Sequence, residues 1–297
     1  MEKLTENKYF KKEVIVLKAF GLSIEGNESI SYRIYSCVCI FGVLFTYSVI
    51  DTLELFKVDA NELTSIVIYQ TAFCLAFCKS IIVLRNRTQF AKIMNKLQHK
   101  PFLPDPERGG KVEEKLIQEC VWITNVQTST YWILGGCSIL AAVFYTLYER
   151  ITHSDYHYWQ LPYGPLTLIN ITYSPNFEIV WCYQSISMWL VGVIYTSTDA
   201  LVAAILAHAC YQFKILQNCI RNYGETDDEK MKEGNATDHS YSLHVTLKNI
   251  VEYHVAIFDI VEEMEIIFNQ LLLIQFTGTL CVLCISIYQT TEVRLEY

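Results

Sequence analysis

Between Ile179 and Phe213 the chain runs for 35 residues with Asp199 as its only formal charge. A helix built from this run has no wide polar face to offer water, so it cannot lie on the surface of a soluble domain. It is longer than the roughly 20 residues that cross a bilayer, so one end must project beyond the hydrocarbon. Its start is well marked: Ser174 suits a helix cap, Pro175 the first helical position, and Glu178 the field of the first turn. This run predicts a membrane-crossing helix with a structured Pro/Gly/Tyr loop in front of it.

Four further spans follow from the same test. The five lie at about residues 34–53, 63–84, 128–148, 177–212 and 266–290, each inside a stretch nearly free of charge. Lys79 is the one charge within the second span, near enough to an end to snorkel to the interface. Only 18% of residues are charged and 52% are apolar, against roughly 25% charged in soluble domains. The expected fold class is therefore all-α, a single polytopic membrane bundle over residues 1–297. Inner connections are expected at 85–127 and 213–265, and an outer loop at 149–176. Ile250, His254, Ile257, Val261, Met264 and Phe268 recur at helical spacing and lead without a break into the fifth span, which predicts one long helix.

The first 22 residues are not a signal peptide, because lysines interrupt a short apolar core. Tyr9, Phe10, Val14, Leu17 and Phe20 form a rough apolar stripe. An interfacial amphipathic helix and a solvated tail both fit it.

Orientation comes from the cations. With the N-terminus cytoplasmic, the inner segments carry six through Arg33, nine from Lys79 to Lys115 and five from Lys214 to Lys248. The outer segments carry only Lys57, Arg150 and Arg294. Four glycosylation sequons then divide: Asn27, Asn86 and Asn235 fall inside, and Asn170 falls in the outer loop. An inner N-terminus, and outer loops without cysteine, argue against a G-protein-coupled receptor.

No nucleophile elbow, phosphate loop or carboxylate dyad is present, so an enzyme is not expected, nor any cofactor. His153 and His157 have a metal-compatible spacing but no third ligand. Cys281 and Cys284 form a half-site inside an apolar run, without a partner pair. The net charge of −8 gives nucleic acid no reason to bind.

Several local patterns fall in a characteristic order. Leu161-Pro162-Tyr163 and Ser174-Pro175-Asn176-Phe177-Glu178 precede Trp181, Tyr183 and Gln184. Asp199 follows, then the exit Ala207-His208-Ala209-Cys210-Tyr211-Gln212. After the inner connection come His254, Glu262-Glu263-Met264-Glu265, Phe268, Leu271 to Phe276 and Cys281 to Tyr288. From about residue 10 onward the chain resembles the insect odorant receptor family.

That resemblance implies seven spans, of which five are visible, so the chain is expected to be C-terminally truncated. It also implies an odorant-gated cation channel, assembled as a tetramer with an odorant receptor coreceptor in the plasma membrane of olfactory sensory neurons. It puts the pocket for small volatile odorants in the outer half of the bundle, which implicates Tyr69, Phe73, Phe144, Tyr148, Tyr183, Ser187 and Met188. The same residue types fill ordinary cores, so packing is the competing reading. A gustatory-type chemoreceptor would share this topology. A transporter should show repeated, Gly/Pro-broken helices, and none is visible. Asp199 lies about 33 Å along its helix from Phe177. A structural hydrogen bond or hydrated site near the inner face, and a role in an inner vestibule, are its two readings.

The topology is open to direct test. An epitope tag at residue 1 should stay hidden from antibody in intact cells, while one after Asp155 should be labelled. Of the four sequons only Asn170 should gain glycan mass, and glycan on Asn235 would overturn the orientation.

Overall fold

The computed structural model describes residues 9–26, 28–57, 60–105, 108, 110–153, 155, 158–167, 169–231 and 236–295. Asn27, Asn235 and His157, singled out above, lie outside them. Every regular element among the described residues is helical. In chain order these are α1 (Lys11–Ala19), α2 (Ile30–Cys37), a π-helical segment (Val38–Phe45) and α3 (Thr46–Glu54). Then come α4 (Ala60–Arg85), α5 (Arg87–Leu97), α6 (Gly110–Thr152), α7 (Asn176–Met231) and α8 (Ala236–Leu295).

Five helical stretches are long and apolar enough to cross a membrane: Ile30–Glu54, Ile66–Arg85, Lys111–Thr152, Asn176–Gly224 and Val245–Tyr288. The first joins α2, the π segment and α3. The chain is thus a multi-pass membrane bundle. Its outward faces carry large apolar residues such as Phe41, Ile133, Leu134, Ile186, Leu273 and Phe276, the surface a hydrocarbon solvent requires.

The helices outrun the apolar windows that locate them. α6 and α8 extend well into the polar stretches that separate the spans in sequence. A polar residue does not end a helix, and Glu, Lys, Gln and Leu all have high helix propensity. Within the 85–127 stretch, α5 buries Phe90, Ala91, Ile93, Met94 and Leu97. The connection between α5 and α6 carries Pro101 and Pro104, neither of which continues a helix. α7 begins at Asn176, beyond Ser174, and Glu178 in its first turn pairs with Arg150 at 2.7 Å.

α7 is the axle of the bundle. It packs against α1, the π segment, α4, α6 and α8. Of the two readings of the N-terminal stripe, the structure has the helical one, docked rather than free. Phe10, Val14 and Leu17 are fully buried, α1 lies along α7, and Glu13 accepts a 2.8 Å hydrogen bond from Thr128. One crossing depends on a missing side chain, and a second is close-packed against a flexible side-chain tip. A Cβ on Gly278 of α8 would sit 2.3 Å from a Leu75 methyl of α4, and one on Gly192 of α7 would sit 2.6 Å from Ile139 of α6.

Two buried polar networks tie the helices together. At the basic end Glu113 is wholly buried and accepts from Arg108 Nε at 2.7 Å, Arg108 Nη2 at 2.9 Å and the Asp105 amide at 2.9 Å. Arg108 also donates to the Pro101 and Leu103 carbonyls and lies 3.9 Å above the Tyr253 ring. Gln212 donates to the Phe102 carbonyl and accepts from the Tyr253 hydroxyl. The Pro-rich connection is thereby strapped onto α6, α7 and α8.

The second network corrects the expectation for Lys79. Its side chain does not snorkel to the interface but is 1% exposed, with Nζ 2.6 Å from Asp199 Oδ1. The ammonium also lies 3.6 Å from the centre of the Tyr195 ring, and the Tyr195 hydroxyl accepts from Gln275 of α8. A carboxylate across the helix interface offers the amine a partner where it lies, which makes the stretch to the headgroups unnecessary. Of the readings of Asp199, the structural bond is the one seen.

Removing one partner of a buried pair strands a charge at a cost of roughly 3–5 kcal/mol. Asp199 retains 38% exposure, so the loss for Asp199→Ala is expected at or below the low end of that range, about 2–3 kcal/mol. The solubilised protein should lose its monodisperse peak at a clearly lower temperature. Lys79→Met combined with Asp199→Leu should recover most of that loss. A double variant no better than the single would show that the pair is not the cause.

Candidate functional site

At the end of the bundle that carries the 149–176 connection, aromatic residues from three helices meet. Tyr47 of α3 stacks on Phe73 of α4 with ring centres 4.0 Å apart and planes 10° apart. It also stacks on Tyr183 of α7 at 5.7 Å. Tyr183 and Thr46 share a hydrogen bond of 3.0 Å. Tyr69 meets Tyr163 edge to face at 5.6 Å.

Tyr163 comes from the connection itself, which is folded down onto the helices. Its amide donates to Gln184 Oε1 at 3.4 Å, Gln184 Nε2 donates to the Gly164 carbonyl at 3.2 Å, and its hydroxyl donates to the Ile139 carbonyl at 3.3 Å. Burial and the neighbouring Tyr69 push the Tyr163 phenol up to about 12, so it stays a donor at physiological pH. Gly164 has φ of +93°, a left-handed backbone that lets the chain turn under Tyr163 toward Ile66 and Tyr69. Beyond it, Glu54 of α3 accepts from both the amide (2.8 Å) and hydroxyl (2.7 Å) of Thr167. On the other flank Arg150 lies 3.8 Å above the Trp159 ring, and Trp159 contacts Phe177. The connection is a tied-down cover.

Beneath it, three polar atoms have no hydrogen-bond partner among the described residues: the Tyr47 hydroxyl, Asp51 Oδ2 and Ser187 Oγ. All three residues are buried. The Tyr47 hydroxyl is within electrostatic reach of Asp51, Tyr183, Tyr69 and Tyr163. Unpaired polar atoms in a water-poor aromatic setting are costly unless something else satisfies them.

Of the residues implicated from sequence, the structure brings Tyr69, Phe73, Tyr183, Ser187 and Met188 into or against this core. Phe144 and Tyr148 it does not. They stand one turn apart on α6, 62% and 63% exposed, while Thr146 bonds Trp181 and Val143 faces the core. Asn170 is exposed, its side-chain oxygen held by the Thr172 amide and hydroxyl. Tyr47, Asp51, Glu54, Tyr163 and Gln184 were missed. Tyr47, Asp51 and Glu54 are spaced four and three apart, one helical face, and that spacing was visible in the sequence.

Comparison with known proteins gives consistent likenesses. The family described as 7tm Odorant receptor matches residues 59–294. Over 157 residues, 52% of this chain, the sequence is 25% identical to odorant receptor 92a of Drosophila melanogaster; the matched stretch spans only 34% of that relative's length. The fold is similar to the insect olfactory receptor OR5 of Machilis hrabei, with a TM-score of 0.74 at 16% identity, covering 96% of this chain and 71% of that one.

The cover predicts a local effect separable from folding. Glu54→Gln weakens a charge-assisted acceptor to a neutral one, so amide exchange at Thr167 should rise severalfold while exchange along α7 stays unchanged. Uniform protection in both proteins would show that Glu54 does not hold the cover.

Proposed function

The chain belongs to the 7tm odorant receptor family, and on that premise we propose that it is a chemosensory subunit that binds small volatile apolar odorants beneath the 149–176 connection. The observation that carries this reading is the set of unpartnered polar atoms on Tyr47, Asp51 and Ser187, enclosed by stacked aromatic rings. Burial between rings supplies the affinity for an apolar body, and a single hydroxyl or carbonyl on the odorant satisfies one of the open groups. Tyr69, Phe73, Tyr183, Ser187 and Met188 form the wall in this proposal; Phe144 and Tyr148 face outward and belong to the contact with lipid or with further protein.

The proposal extends to the assembly. The subunit joins a coreceptor in a tetrameric, odorant-gated cation channel in the plasma membrane of olfactory neurons, with the basic end of the bundle in the cytoplasm. The cation distribution supports that orientation. α7 supports a coupling role, since it runs from Tyr183 beside the site past Asp199 to the basic network.

Dose–response curves for a panel of volatile odorants, recorded with coreceptor on a seven-span form of the subunit, test the wall. Tyr69→Ala and Met188→Ala each remove apolar contact worth about 1.5–3 kcal/mol, a shift of roughly ten- to a hundredfold. Phe144→Ala should respond like the parent. Unchanged curves for both wall variants at normal surface expression would return these residues to packing.

A further inference from the structure

The cations of the basic end are concentrated in one stretch. Between Leu84 and Pro104 five of them, Arg85, Arg87, Lys92, Lys96 and Lys100, stand without a single carboxylate, in a chain whose net charge is −8. An inner end asks only for an excess of cations; it does not ask that acids be kept out. The stretch begins where the span Ile66–Arg85 ends and continues as α5. Phe90, Ala91, Ile93, Met94 and Leu97 are the buried face of α5, which leaves Lys92 and Lys96 one turn apart on the opposite face. Glu263 of α8 answers these two, at 2.8 Å from Lys92 and 2.7 Å from Lys96. Among the described residues no carboxylate lies within ion-pair distance of Arg85, Arg87 or Lys100.

The bonds to Glu263 also set the height of α5. The charge-free run of α8 begins at Ile266, and Glu263 precedes it by three residues, about 5 Å of helix. α5 is therefore held beside the membrane edge and does not project away from it.

Where α5 ends, a concavity of about 300 Å³ opens between its last turn and α8. Lys96, His99 and Lys100 line one side, Asp259 lines the other, and Pro101, Phe102 and Ala256 supply an apolar floor. That floor is fixed, since the Phe102 carbonyl accepts from Gln212 of α7. At about 30 Å³ per water in the liquid, the space equals some ten waters, room for a sugar-sized ring. Ala256 and Asp259 stand ten and seven residues before Ile266, about 10–15 Å beyond the charge-free run. The headgroup layer is roughly 5–8 Å deep on each side of a bilayer. An ordinary headgroup falls short of the concavity, and one that projects into water reaches it.

We propose that α5 and this concavity form a site for the phosphorylated inositol headgroup of a lipid in the adjoining leaflet. The phosphates accept from Lys96 and Lys100, and Arg85 and Arg87 lie nearest the negative surface of the leaflet. Asp259, which repels a bare phosphate, accepts from a ring hydroxyl. Phosphatidic acid has no such hydroxyl, and phosphatidylserine stays within the headgroup layer. The source is the lipid and not a free inositol phosphate, because α5 sits where acyl chains can enter the bilayer beside it. That this leaflet is the cytoplasmic one rests on the orientation proposed above.

The full chain in detergent micelles, titrated with short-chain phosphatidylinositol bisphosphate labelled on its acyl chain and read by fluorescence anisotropy, tests this. One cation near an anionic lipid is worth roughly a fivefold change in affinity. Lys100→Gln should therefore weaken saturable binding about fivefold, and Lys100→Arg should bind like the parent. Lys248→Gln, which neutralises a cation about 27 Å of helix from Ile266, should also bind like the parent. Unlabelled phosphatidylserine and the soluble headgroup should each compete at least tenfold less well than the unlabelled inositol lipid. Asp259→Asn should raise competition by phosphatidic acid severalfold relative to the inositol lipid. Equal affinity in parent and Lys100→Gln overturns the proposal, as does equal loss in Lys248→Gln, which would report diffuse attraction. Equal competition by phosphatidylserine or by the free headgroup overturns it too, and so does an unchanged preference in Asp259→Asn. Micelles leave both ends of the bundle open, so the binding result stands apart from the tag experiment on orientation, and its failure leaves the odorant reading untouched.

Discussion

An ammonium with 1% exposure between apolar helices survives only with a counter-charge in reach, and the 2.6 Å contact from Lys79 to Asp199 supplies it. Much else in the bundle follows from that pair. It sets the register of α4 against α7, and through Tyr195 and Gln275 it draws in α8. Phe73 is six residues from Lys79 and Ser187 twelve from Asp199, so both walls of the candidate site are placed by helices locked at this point. An apolar contact could slide by a turn at small cost; an ion pair with a buried ammonium cannot.

The basic end is held on the same principle with different chemistry. Arg108 and Glu113 are bidentate, and two more guanidinium protons go to the carbonyls of Pro101 and Leu103. Arg suits this place because its planar fork satisfies several fixed acceptors at once, where a lysine would serve fewer. The covered end uses a third device, Glu54 accepting two hydrogen bonds from Thr167. α7 passes through or beside all three regions, which explains why one helix touches so much of the molecule.

The spans were legible in sequence because hydrocarbon imposes a composition that few other environments tolerate. Ile179 to Phe213 could be read almost alone. The helix ends were less legible: hydropathy reports where a helix meets lipid, while α6 and α8 continue through polar sequence for reasons of propensity and packing. Lys79 was misread because a single sequence shows one charge at a time, and its partner lies 120 residues away. The candidate site was legible only as to which residues face inward. Tyr69, Phe73, Tyr183, Ser187 and Met188 fall on inward faces, but resemblance alone could not phase α6, so Phe144 and Tyr148 point outward. Tyr47 was overlooked because the first span was read only for length, although Tyr47, Asp51 and Glu54 share one face.

What separates site from scaffold is the state of the buried polar atoms. Lys79 with Asp199, Glu113 with Arg108, Glu54 with Thr167 and Glu13 with Thr128 are closed pairs, and closed pairs hold structure. The atoms left open on Tyr47, Asp51 and Ser187 stand together beneath one cover. Openness alone does not suffice. His208 also has both ring nitrogens unpartnered among the described residues, but the rings of Tyr9 and Phe10 lie against it at 4.9 Å. At the covered end, open groups of both donor and acceptor kind converge from α3 and α7 among aromatic rings. The Tyr47 hydroxyl and Asp51 Oδ2 stand one turn apart on α3, and neither has a hydrogen-bond partner among the described residues. In the proposal that a volatile odorant binds here, burial between the rings supplies the affinity and one hydrogen bond the discrimination.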